Sequence, residues 1–96
     1  MYGIHEKVYK RIMEYFKKND QINKVVLFGS RATNKATKES DIDLCIDYIG
    51  DTKGEVVDAI NEKAGLYSCD IVLCNELNKE IKDQINRDGI TIYEKQ

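Results

Sequence analysis

Residues 24–48, KVVLFGSRATNKATKESDIDLCIDY, decide how this chain folds. Two apolar segments of different character flank a polar stretch. Residues 24–29 (KVVLFG) form a short continuous apolar run, the pattern of a strand buried on both faces. Residues 41–48 (DIDLCIDY) alternate with period two, the pattern of a strand with one polar and one apolar face. Residues 30–40 between them are polar and irregular, and read as a loop.

The rest of the chain continues the alternation of helix and strand. Before the first strand, residues 3–18 set Ile4, Val8, Ile12, Tyr15 and Phe16 at helical spacing, with lysines and arginine between them, and Asn19-Asp20 ends that helix. After the second strand, residues 54–64 carry Val56, Val57, Ile60 and Ala64 as a helix closed by Gly65. Residues 68–74 (SCDIVLC) read as a third strand. Asn75 or Asn78 caps a further helix with Leu77, Ile81 and Ile85 on one side, ending at Arg87-Asp88-Gly89. Residues 90–93 (ITIY) supply a fourth short strand. The order αβ(loop)βαβαβ predicts an α/β (α+β) domain around one small mixed four-stranded sheet.

Ninety-six residues suit a single domain spanning 1–96. Fifteen basic against seventeen acidic side chains give a net charge of −2, which excludes extended nucleic-acid binding driven by a basic field. The longest apolar run is far short of a membrane span, and the N-terminus is charged too early for a signal peptide, so the cytoplasm is the expected compartment. Cys45, Cys69 and Cys74 sit among Ile, Val and Leu and read as small buried hydrophobes. With no CxxC spacing and His5 remote from them, a zinc site is not supported. His5 reads as an ordinary residue of the first helix. Tyr9, Tyr15 and Tyr48 read as core or rim.

The chemistry lies in the second and third strands. Asp41 and Asp43 are two apart, so their carboxylates share a face with Cα atoms roughly 6.5–7 Å apart. Ile42, Leu44 and Ile46 face the core. In the third strand Asp70 shares its face with Val72 and Cys74. Carboxylates among apolar neighbours are costly to bury unpaired. Gathered together they repel, and a hard divalent cation relieves that repulsion; Mg²⁺ takes a few carboxylates plus substrate phosphate oxygens. Upstream, Gly29-Ser30-Arg31 follows a strand, a turn able to cradle phosphate, with Lys35 and Lys38 on the same loop. Each motif alone is most often a plain turn or a solvated strand face. Asp47 reads as solvent-exposed. The three aspartates and Gly29-Ser30 meet at one sheet edge if the second strand runs antiparallel to the first and parallel to the third. The helix between the second and third strands permits the parallel pairing.

With these residues in place, GSRATNKATKESDIDLCID resembles the signature of the DNA polymerase beta-like nucleotidyltransferase superfamily, and its length and wording resemble the minimal nucleotidyltransferase (MNT) branch. The resemblance covers nearly the whole chain. It implies a small mixed sheet flanked by helices, with Asp41, Asp43 and Asp70 as metal-binding and catalytic acids. It also implies Gly29 and Ser30 as a phosphate-binding turn, with Arg31 beside them holding nucleotide. Similar proteins often carry Gly at the position of Asn34, and Asn is the next most tolerant of left-handed backbone. Many proteins of this kind pair with a HEPN-domain toxin, and some transfer AMP from ATP to a tyrosine of that partner.

The resemblance implies two-metal chemistry. One Mg²⁺ on Asp41 and Asp43 would meet the triphosphate, and a second, shared with Asp70, would activate the attacking hydroxyl. A chain this short has little surface to enclose both nucleotide and acceptor, which points to an acceptor on another protein. Three functions follow as expectations: an enzyme that adenylylates a partner, an antitoxin that only occludes its partner, and a small-molecule or RNA nucleotidyltransferase. The first is favoured, because a vestigial site has no physical reason to keep clustered like charges. The third is weakest, for want of a helical domain or a basic surface.

Overall fold

The computed structural model describes residues 1–96. Its elements are α1 (Glu6–Lys18), β1 (Ile22–Phe28), β2 (Ile42–Tyr48), α2 (Lys53–Ala64), β3 (Cys69–Leu73), α3 (Lys79–Asp88) and β4 (Ile90–Glu94), with one 3₁₀ turn over Gly29–Arg31 after β1. The sheet order is β3-β2-β1-β4. β1 pairs antiparallel with β2 and with β4, while β2 pairs parallel with β3. This is the small mixed sheet that the alternating pattern predicts. No helix is long and apolar enough to cross a membrane.

The period-two alternation of β2 gives the sheet two unequal faces. Ile42, Leu44 and Ile46 join Val25 and Leu27 of β1 and Ile71 and Leu73 of β3 under α1 and α2, in a core completed by Ile12, Phe16, Val56 and Ile60. Removing each such side chain from water stabilises the fold by about 1.5–3 kcal/mol. The opposite face carries only Val26, Phe28 and Cys45 as buried residues, covered by Leu77, Ile81 and Ile85 at α3. No residue of α3 is itself buried. Asp43 alternates with Ile42 and Leu44, so it lies on this thinly covered face.

Element ends differ from the sequence reading where side chains cap. Helix α1 starts at Glu6, because Tyr2 and Gly3 take positive φ of 56° and 74°. His5 is therefore not a helical residue; its Nδ1 accepts the Lys7 N–H at 3.2 Å as the N-cap. Asn78, not Asn75, caps α3, with Oδ1 accepting the Ile81 N–H at 2.8 Å. Gly65 closes α2 at φ 66°. Of the three cysteines only Cys45 is fully buried; Cys69 and Cys74 are half-buried at the strand ends. Tyr48 is buried, and Tyr9 and Tyr15 are half-buried at its margins.

Candidate active site

Sheet topology brings three strand ends together. Phe28, the last residue of β1, pairs with Asp43 near the start of β2, and Asp43 pairs with Asp70 near the start of β3. Gly29 follows Phe28, and Asp41 immediately precedes β2. Asp41, Asp43, Asp70 and Gly29-Ser30 therefore gather at one edge, with Asp41 and Asp70 exposed and Asp43 half-buried.

Gly29 is needed here for two reasons. Its φ is 75°, a left-handed conformation. A Cβ on Gly29 would also run into the Asp43 carboxylate, falling 3.0 Å from its Cγ. The backbone of the turn thus lies directly against Asp43. The turn's carbonyls are pinned from inside the loop. The Ala32 N–H donates to Gly29 O at 3.1 Å, the Lys35 N–H to Ser30 O at 2.9 Å, and Thr33 Oγ1 donates to both carbonyls. Asn34 takes φ 62°, the left-handed conformation that its residue type tolerates.

Charge at this edge is unbalanced. Burial, then the Asp70 and Asp41 charges, pushes the Asp43 carboxyl up to about 6, with Arg31 opposing. Burial, with Asp41 next, likewise pushes the Cys69 thiol up to about 11. The chain's two salt bridges, Lys53–Glu76 and Arg87–Asp88, involve none of the three aspartates. No three acidic, His or Cys side chains already close around a cation position. The donor set fits Mg²⁺ nonetheless. This ion is held by one or two carboxylates and completes its shell with substrate phosphates and water, so it needs no preformed protein cage.

Arg31 lies where the sequence reading did not put it. The side chain is 2% exposed and turned into the loop, where its nitrogens meet backbone carbonyls. Nη1 donates to Tyr2 O at 3.1 Å; Nη2 donates to Ser40 O at 2.8 Å and to Thr37 O at 3.5 Å. The guanidinium stacks over Tyr67, 5.2 Å from the ring centroid, and the Tyr67 hydroxyl accepts the His5 N–H at 2.9 Å. Arg31 thus fastens the segment leading into Asp41 to the N-terminus. Sequence reasoning missed this role and missed Tyr67, because the acceptors are backbone carbonyls with no side-chain signature. Lys35 and Lys38 remain exposed on the loop.

The polymerase beta nucleotidyltransferase family matches this chain over residues 10–96. No curated protein matches the sequence significantly. Among solved structures, a toxin-antitoxin with AMP-PNP superposes with a TM-score of 0.71 at 16% identity, over 97% of this chain and 76% of that one. Two mutants of the toxin-antitoxin MntA-HpeT give 0.70 at 14% identity and 0.68 at 18%, each over 97% of this chain and 76% and 75% of theirs. At such identities the likeness shows a shared fold. The family match, together with the mixed sheet that carries Gly29-Ser30 against Asp43, places the chain in the polymerase beta nucleotidyltransferase family.

Proposed function

We propose that this chain transfers AMP from ATP to a hydroxyl, a tyrosine, of a separately encoded partner, and that it acts as the MNT-type antitoxin of a HEPN-domain toxin. The observation that carries the reading is the position of Asp43, between the Gly29 backbone and its register partner Asp70. An enzyme that must bring a triphosphate and a cation together needs acids beside a backbone turn. A merely occluding protein gains nothing from burying Asp43 beside the Asp70 and Asp41 charges, the burial first and the charges second, which together raise its carboxyl. The likeness to a toxin-antitoxin with AMP-PNP supports both the nucleotide and the kind of partner.

In this reading Gly29 and Ser30 receive the β- and γ-phosphates, backbone first because Gly29 lets it approach. Asp41 and Asp43 hold the cation side of the triphosphate, and Asp70 accepts the proton of the attacking hydroxyl. That hydroxyl oxygen then bonds the α-phosphorus as pyrophosphate leaves. Two bound Mg²⁺ ions would neutralise the phosphates and make the hydroxyl more acidic. Arg31 is a positioning residue that keeps Ser40 and Asp41 in place. The rest of the catalysis is orientation and charge stabilisation.

The test is the intact mass of the co-expressed partner after incubation with this chain, ATP and Mg²⁺. The expected result is one or more added AMP groups, lost with Asp41→Asn or Asp43→Asn. Asp70→Ala should slow transfer about 100-fold or more while retaining nucleotide binding, as removal of a proton acceptor does. A partner silenced equally by wild type and by the double aspartate variant, with no mass change, would establish occlusion instead.

A further inference from the structure

Two thiols lie on the same thinly covered face as the carboxylates, and the proposed transfer uses neither. Cys45 follows Asp43 by two residues on β2, and Cys74 follows Asp70 by four, just past the end of β3. Period-two alternation keeps both on the face of their aspartates. Leu73 pairs with Ile46, and the Cys74 N–H donates to Ile46 O at 3.0 Å, so the parallel ladder continues one residue beyond β3. That extra rung sets Cys74 opposite Asp47, on the same face as Cys45 and diagonal to it, within reach of its side chain. The two Sγ atoms are 2.7 Å apart. This is about 0.7 Å beyond a bonded pair at ~2.0 Å. Both are free thiols. Cys45 is 1% exposed, whereas Cys74 is half-buried and lines a surface cavity with Asp47, Gly50 and Asn75, the side from which a small reagent would approach. Cys69 alternates with Asp70 and packs against the core on the other side of the sheet, out of reach of the pair.

We propose that Cys45 and Cys74 are a disulfide-forming pair, closed by a low-molecular-weight disulfide, which ties β2 to β3 behind Asp43 and Asp70. The Cys74 sulfur attacks one sulfur of the reagent, whose S–S bond breaks and releases one small thiol. Cys45 Sγ then displaces the second small thiol from Cys74 and forms the Cys45–Cys74 bond. The two cysteine protons end on the two released thiols, and two electrons pass from the pair to the reagent. The pair is 29 residues apart in sequence. Closing that loop restricts the unfolded chain, and the expected gain is about 10–15 °C in melting temperature.

The reduced protein is treated with oxidised glutathione, its remaining thiols are alkylated in denaturant, and the intact mass is read. The expected product carries a single alkyl group, on Cys69, and no glutathione; dithiothreitol restores all three alkylation sites. Cys69→Ser keeps the closure and carries no alkyl group. Cys74→Ser changes a half-buried side chain, keeps the fold, and loses both the closure and the rise in melting temperature. A stable glutathione adduct on Cys74, three alkyl groups on treated wild type, or a bond that includes Cys69 would overturn the assignment.

Discussion

Asp43 is held where its own charge is unwelcome. Its carboxyl sits against the Gly29 backbone, opposite Asp70 and beside Asp41, and its pKa rises to about 6. An unfolded aspartate titrates near ~3.9, so the native state binds this proton more tightly than the unfolded state. The resulting stability is complete below pH ~4 and is lost as pH rises through ~6. Asp43→Asn removes that loss. Because the carboxyl is partly solvated, water screening leaves about 1 kcal/mol of the nominal effect. The variant should therefore melt about 4 °C above wild type near pH ~7.5 and level with it near pH ~4. Melting curves at the two pH values check this, and a gap of the same size at both would contradict it. At this scale the acids and Gly29 were legible in the sequence, because side-chain type and period-two spacing fix their face. Arg31 was not: the chain treats it as a clamp on the carbonyls of Tyr2, Thr37 and Ser40. A carbonyl acceptor looks the same behind every residue.

The loop between β1 and β2 owes its shape to that clamp. Two nitrogens of one planar group reach three carbonyls on two segments, the N-terminus and the loop itself, while its face covers Tyr67. A lysine ammonium is a compact point charge and cannot span the same acceptors or stack in the same way. Arg31→Lys leaves the part-buried carbonyls of Tyr2 and Ser40 short of a donor, at a cost of about 1–2 kcal/mol, and should lower the melting temperature by about 5–8 °C. A variant that melts within ~2 °C of wild type would show that the clamp is dispensable. Strands were easier to read than helix starts. The run Val25–Phe28 is buried throughout and β2 alternates as its sequence does. The start of α1 was hidden by the left-handed Tyr2 and Gly3 and by His5 acting as its cap. Asn75 and Asn78 carry the same capping chemistry, so only the path of the chain after β3 distinguishes them.

The whole molecule is a sheet with one well-covered and one thinly covered side. Fifteen buried residues form the cluster under α1 and α2, against three on the α3 side. This asymmetry gives the fold its stability on one side and leaves the strand ends with Asp43 and Asp70 accessible on the other. The opposed and parallel pairings that bring three strand ends together could be deduced from the chain order, since a helical crossover permits parallel strands and the 30–40 loop permits reversal. The central claim is that this edge takes a nucleotide with its cation. A ligand that binds only the native state raises stability by RT ln(1 + [L]/Kd), which is about 2.7 kcal/mol at a hundredfold excess over Kd. The most direct measurement is the thermal melt of wild type and Asp43→Asn with and without Mg²⁺-ATP at neutral pH. The account predicts a rise of about 10 °C for wild type and little or none for Asp43→Asn, whereas an equal rise in both proteins would contradict it.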